Sequence, residues 1–112
     1  MASSVKKHSK RFLIRAAYKP STISAYTTAY NRFLSWCRDQ GEDPTTWELL
    51  DEIFVDWLHD LFEEYGSTGQ GKSIGIRARQ GLFLALPEAK SHLPRTATAL
   101  KGWSKEAPTR SY

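Results

Sequence analysis

Residues 50–65, LDEIFVDWLHDLFEEY, decide the fold class of this chain. Apolar side chains recur there every three or four positions, and acidic side chains fill the positions between them. The apolar set is Leu50, Ile53, Phe54, Trp57, Leu58, Leu61, Phe62 and Tyr65, and the acidic set is Asp51, Glu52, Asp56, Asp60, Glu63 and Glu64. This spacing predicts an amphipathic α-helix, here called the acidic helix, with one face in the core and the acids on the other side.

A first helix is predicted upstream, over residues 20–40. Its apolar positions again follow one another in steps of three and four, at Ile23, Tyr26, Tyr30, Phe33 and Cys37. Ser21 is expected to cap the free backbone N–H groups, and Gly41 is expected to close the helix in the left-handed conformation. Thr45 and Glu48 have the spacing of a capping box and are expected to open the acidic helix.

Two more helices are predicted downstream. Residues 66–71 contain three glycines and are predicted to be a loop, after which a third helix runs from Lys72 or Ser73 to about Leu86. An irregular stretch bracketed by prolines precedes a shorter fourth helix over residues 96–105. Because no stretch alternates with the period of a strand, the chain is predicted to be all-α, a compact bundle of four to five short helices.

Charge is distributed unevenly along the 112 residues, although the net charge is only +4. Residues 1–20 hold six Lys and Arg and no acid, residues 21–65 hold ten acids and two Arg, and residues 66–112 hold eight Lys and Arg and two acids. The two basic parts predict a polyanionic partner, with the acidic part turned away from it. Residues 1–19 are predicted to be a flexible basic arm and residues 109–112 a short tail.

Several function classes are excluded by composition. One cysteine cannot form an internal disulfide, and the three histidines lie too far apart for local metal-ligand spacing, so neither a metal nor a cofactor is expected. No apolar stretch approaches the ~20 residues that span a bilayer, and no signal-peptide core is present. We therefore expect no membrane partner and an intracellular protein, nuclear if the host is a eukaryote. Cys37 is expected to be a small buried apolar residue.

Residues 66–73, GSTGQGKS, match the phosphate-binding pattern G-x-x-x-x-G-K-[ST] at every fixed position. A true P-loop follows a buried strand, whereas the acidic helix precedes this match. A plain interhelical loop is therefore the favoured interpretation, and nucleotide binding at residues 66–73 stays as an alternative. A second alternative is a helical protein-interaction module whose acidic helix recruits a basic partner.

A longer pattern extends over residues 20–108. It consists of Ser21-Thr22 followed by Tyr26, Tyr30, Phe33, Trp36 and Cys37, then the acidic helix, a glycine-containing loop into Lys72-Ser73-Ile74, and finally Leu93-Pro94, Leu100-Lys101-Gly102-Trp103 and Pro108. This pattern resembles the core-binding domain of tyrosine recombinases and phage-type integrases. The resemblance implies a compact, SAM-like helical domain over residues 20–108 that clamps one face of duplex DNA. Its first and third helices would approach the major groove, and its second would pack behind them.

The resemblance and the charge distribution together nominate DNA-binding residues in and before the first and third helices. They are Lys19, Ser21, Thr22, Lys72, Ser73, Arg77, Arg79 and Gln80. The cations would neutralise phosphates, the hydroxyl groups would bond phosphate oxygens, and Arg77, Arg79 or Gln80 would reach base edges.

Recombination in this family also needs a separate catalytic domain with a nucleophilic tyrosine, for which the chain has no room. Tyr112 has no surrounding site and is given no catalytic role. We therefore expect a DNA-binding protein that is catalytically inert alone and is associated with DNA integration and recombination. Its partners would be double-stranded DNA and, on that DNA, a recombinase catalytic domain or other protomers.

Overall fold

The computed structural model describes residues 16–66 and 69–106, and within these ranges the chain is helical, without strands. The elements in chain order are α1 (Pro20–Gln40), α2 (Trp47–Tyr65), α3 (Gly69–Ala85), a 3-10 helix (Pro87–Ser91) and α4 (Pro94–Glu106). The prediction of an all-α bundle is confirmed. Most of the predicted basic arm and the whole predicted tail lie outside the described residues.

The ends of α1 are only partly as predicted. Gly41 closes the helix with φ 71°, and its N–H donates to the carbonyl of Arg38. At the other end Lys19 is the N-cap residue and no side chain caps the helix, so the predicted Ser21 cap is wrong. Pro20 is the first helical residue, and its fixed φ angle starts the helix one position before Ser21.

The starts of α2 and α3 also differ from prediction. The Thr46 hydroxyl caps α2 by accepting from the N–H of Leu49 at 3.1 Å, so the predicted pairing of Thr45 with Glu48 does not form. α3 begins at Gly69 rather than at residue 72. Packing explains the earlier start, because Gly71 lies against the side chains of two other elements, α2 and α4, and is thereby held within the helix.

One core joins the helices. Phe33 of α1 and Phe54 of α2 have no exposed surface, and their ring centroids are 4.7 Å apart. α1 packs most extensively against α3, and α2 packs against both α3 and α4. At the α1–α3 crossing, a Cβ added to Gly81 would lie 2.3 Å from the carbonyl oxygen of Tyr26, so the two backbones are close to contact there.

Asp51 is buried, with 3% of its surface exposed, although the periodicity placed it on the solvated side of the helix. Its carboxylate accepts the backbone N–H groups of Arg95 and Thr96 at 2.9 and 2.8 Å and the Thr96 hydroxyl at 2.7 Å. These groups form the first turn of α4, where a carboxylate satisfies free donors and complements the helix dipole. Asp51 therefore fixes the start of α4 to α2.

Candidate nucleic-acid interface

The helices of the bundle carry very different charges. α2 carries seven acidic residues and no Lys or Arg. α3 carries no acid and three cations, and the first acid of α1 is Asp39, in its last turn. α4 carries one acid, Glu106, and three cations. Among the helices of the described bundle, α3 is therefore the one that presents no carboxylate of its own to a polyanion, and α1 presents one near its end.

The outward side of α3 is a polar stripe. It consists of Gln70, Ser73, Arg77 and Gln80, in steps of three, four and three residues. Gln70, Ser73 and Arg77 are exposed, Gln80 is half-buried, and Ile76 lies beside them with 38% of its surface exposed. Three of the nominated residues, Ser73, Arg77 and Gln80, thus share one face.

The two other nominated cations of α3, Lys72 and Arg79, lie on its flank, where both are half-buried. The Lys72 ammonium donates a hydrogen bond to the Ser104 hydroxyl of α4, which in turn donates to the Leu100 carbonyl. The guanidinium carbon of Arg79 lies 5.1 Å from the centroid of the Phe83 ring. The Lys72 head group is thus bonded to α4, whereas the Arg79 head group lies over a ring of its own helix, with its Nε buried and without a hydrogen-bond partner among the described residues.

The nominated residues of α1 lie at its start. Lys19 and Ser21 are exposed and Thr22 is half-buried. The segment before the helix is held by Tyr18, whose ring packs edge-on against Tyr26 with centroids 5.8 Å apart. Tyr26 is also the α1 residue whose carbonyl approaches Gly81 of α3.

The α1–α3 crossing groups some of the nominated residues and separates others. Arg77 and Gln80 lie within one helical turn of Gly81, and Thr22 lies one turn from Tyr26 on the other side of the crossing. Ser73 is eight residues from Gly81, about 12 Å along the helix at 1.5 Å per residue. The candidate interface therefore extends along α3, with its α1 contribution concentrated near Arg77 and Gln80.

The sequence-based selection missed the outward face of α1 beyond its first turn. Exposed hydroxyl and amide side chains follow one another there, at Ser24, Thr27, Thr28, Asn31 and Ser35. These positions fall between the apolar positions of the same helix, and no acidic residue lies among them. Both the helical spacing and the lack of acids can be read from the sequence. Such side chains are common donors to phosphate oxygens.

The phosphate-loop match does not have its required context. α2 ends at Tyr65, directly before the match, so a helix occupies the place of the buried strand. A Cβ on Gly71 would lie 2.9 Å from the Tyr65 Cβ and 3.2 Å from Cη2 of Trp103, so this glycine serves helix packing. The lysine of the match, Lys72, donates to Ser104.

Metal clusters and membrane-spanning helices are both missing from the described ranges. No group of three His, Cys, Asp or Glu side chains there could hold a metal ion. Among the helices of residues 16–66 and 69–106, none combines the length and the apolar character needed to cross a membrane.

Comparisons of the chain with protein-family models, with curated proteins and with solved structures find no match.

Proposed function

We propose that this protein binds double-stranded DNA through the outward sides of α1 and α3, as a core-binding domain of the recombinase or integrase type that does not itself cut DNA. The observation that carries the proposal is the separation of charge between helices. α3 has three cations and no acid, whereas α2 has seven acids and no Lys or Arg. A face without carboxylates avoids repulsion by the phosphate backbone.

The α3 stripe supplies the chemistry for both kinds of DNA contact. Arg77 is exposed and its fork of N–H donors suits either a phosphate or the O6 and N7 atoms of guanine. Ser73 and the hydroxyl groups of α1 are suited to phosphate oxygens, which set the position of the protein on the duplex. Lys72, which donates to Ser104, and Arg79, which lies over Phe83, contribute positive charge from the flank of the same helix.

Arg77→Ala tests the proposal, with Arg95→Ala as the matched control. Both residues are exposed arginines, but Arg95 lies at the start of α4, where it pairs with Glu52 of the acidic helix at 2.9 Å. Binding of the full chain to a labelled duplex is measured by fluorescence anisotropy over a series of salt concentrations. We expect Arg77→Ala to weaken binding about 5- to 10-fold and to reduce the slope of log K against log salt by about 1.

Arg95→Ala is expected to change the affinity less than about 2-fold, because the lost cation lies beside acids and away from the DNA. Arg77→Lys then separates the two contact types, since lysine replaces arginine at a phosphate but not at a bidentate base contact. Equal losses for Arg77→Ala and Arg95→Ala, or no binding of the folded wild-type protein at low salt, would overturn the proposal.

A further inference from the structure

An apolar groove lies between α2 and α4. It encloses about 240 Å³ and is lined mainly by Val55, Leu58, Phe62, Ala99 and Trp103. Phe62 and Trp103 pack edge to face in its floor, with ring centroids 5.3 Å apart. None of the residues nominated for DNA binding lines it.

Gly102 forms part of the wall of the groove on α4. A Cβ built on this residue would meet nothing within 4 Å, so the glycine faces open space rather than a close neighbour. Glycine inside a helix costs about 1 kcal/mol relative to alanine. The residue therefore gives the helix no packing advantage, and it leaves the groove wide.

The rim of the groove is acidic along α2 and carries charges of both signs along α4. On α2, helical spacing puts the exposed Asp56 and Glu63 beside the lining residue His59, and Glu63 approaches His59 at 3.8 Å. On α4, Glu106 lines the groove directly. Lys101 and Lys105 of α4 are exposed but do not line it, and Arg95 is paired with Glu52.

We propose that this groove binds one amphipathic, cationic helix of a partner protein. Apolar side chains on one face of that helix would enter the floor formed by Val55, Phe62 and Trp103, and flanking Lys or Arg side chains would meet the acids of the rim. A groove between two helices fits a helical ligand, which presents apolar side chains at three- and four-residue spacing. The acids repel nucleic acid, so this surface is separate from the proposed DNA interface.

The probe is a synthetic helical peptide of leucine, alanine and lysine, about 14 residues long and thus about 21 Å, close to the length of α4. Its control carries glutamate in place of lysine. Anisotropy of the labelled peptides is measured with the full chain at low salt. We expect the lysine peptide to bind at least about 10-fold more tightly than the glutamate peptide, because the latter meets a rim of like charge.

Two variants locate the binding in the groove. Gly102→Phe places a Cβ where no neighbour lies within 4 Å and adds a ring at the wall of the groove, so it is expected to weaken binding of the lysine peptide at least about 10-fold. Glu63→Lys is expected to weaken binding of the lysine peptide about 3- to 10-fold. Glu64→Lys makes the same charge change on the next residue and is expected to change that binding less than about 2-fold. Glu64 lines a different hollow, with Arg32 and Asp60. Circular dichroism verifies that each variant is folded.

Other outcomes would overturn the proposal. Equal effects of Glu63→Lys and Glu64→Lys would show attraction to total charge rather than occupation of the groove. Self-association of the wild type that Gly102→Phe abolishes would identify a second copy as the occupant. If replacing Lys6, Lys7 and Lys10 by alanine strengthened peptide binding, the chain's own N-terminal segment would be the occupant instead.

Discussion

Asp51 shows how much a single buried side chain contributes to this bundle. Its carboxylate accepts three hydrogen bonds from the start of α4, two of them from backbone N–H groups that no earlier turn of that helix can satisfy. Sequence periodicity alone placed this acid with the solvated ones. Only the position of α4 against α2 accounts for its burial.

We predict that Asp51→Ala lowers the free energy of unfolding by about 3 kcal/mol, because it removes a helix cap and leaves buried donors unsatisfied. Glu52→Ala, next in sequence, is the control. Its exposed carboxylate makes an ion pair with Arg95 and is expected to contribute less than about 1 kcal/mol. Urea unfolding measures both, and similar losses for the two variants would contradict the assigned role of Asp51.

Cys37 is buried, with 3% of its surface exposed, as the sequence predicted. Burial raises the pKa of its thiol to about 11, with a further rise from the negative charge of Glu42 and a partial offset from Arg38. The unfolded thiol has a pKa of about 8.5, so the unfolded chain loses this proton first as pH increases. The thiol therefore favours the unfolded state progressively above that pH.

We accordingly predict that the free energy of unfolding falls between about pH 8.5 and pH 11, and that it falls less steeply in Cys37→Ala. Urea unfolding at several pH values measures the difference between the two proteins. The same pH dependence in the wild type and in Cys37→Ala would contradict the shift.

At the scale of elements, helix packing explains features that local propensity does not. Gly71, Gly75 and Gly81 lie on α3, where glycine is a poor helix former, yet each meets a neighbouring helix so closely that a Cβ would lie under 3.0 Å from it. α3 is thereby able to approach α1, α2 and α4. The predicted loop over residues 66–71 and the late start of α3 came from counting the glycines of that loop, Gly71 among them, as breakers.

A matched pair of glycines tests this explanation. Gly81→Ala is expected to destabilise the protein by about 1–3 kcal/mol, because the new methyl group would lie 2.3 Å from the Tyr26 carbonyl oxygen and force the helices apart. Gly102→Ala, which meets nothing within 4 Å, is expected to stabilise it by about 0.5–1 kcal/mol through helix propensity. Thermal or urea unfolding gives both values, and the same sign for both would refute the explanation.

At the scale of the whole molecule, one hydrophobic core contains residues of α1, α2, α3 and α4. We therefore predict a single cooperative unfolding transition, with coincident curves from circular dichroism and tryptophan fluorescence. Trp57 and Trp103 are both buried in that core, at positions contributed by different helices. Two separated transitions would show that part of the bundle folds independently.

The candidate DNA interface was predictable from the sequence in its charge but not in its geometry. The structure puts Ser73, Arg77 and Gln80 on the outward side of α3, whereas the sequence nominated them together with Lys72 and Arg79, which lie on its flank. The hydrogen bond that Lys72 donates to Ser104 could not be predicted, because it depends on where α4 packs. DNA binding itself stays a prediction that Arg77→Ala addresses.

The sequence by itself determined the helical class, the approximate extents of the helices and the segregation of charge along the chain, because apolar period and composition are local properties. The tertiary structure decided which polar groups are buried, where the helices begin, and which glycines are contacts rather than breaks. Asp51, Gly81 and Gly102 illustrate the difference. The roles of Asp51 and Gly81 depend on residues 44 or more positions away in the chain, and the role of Gly102 depends on the lack of any neighbour. Local periodicity contains no information about either.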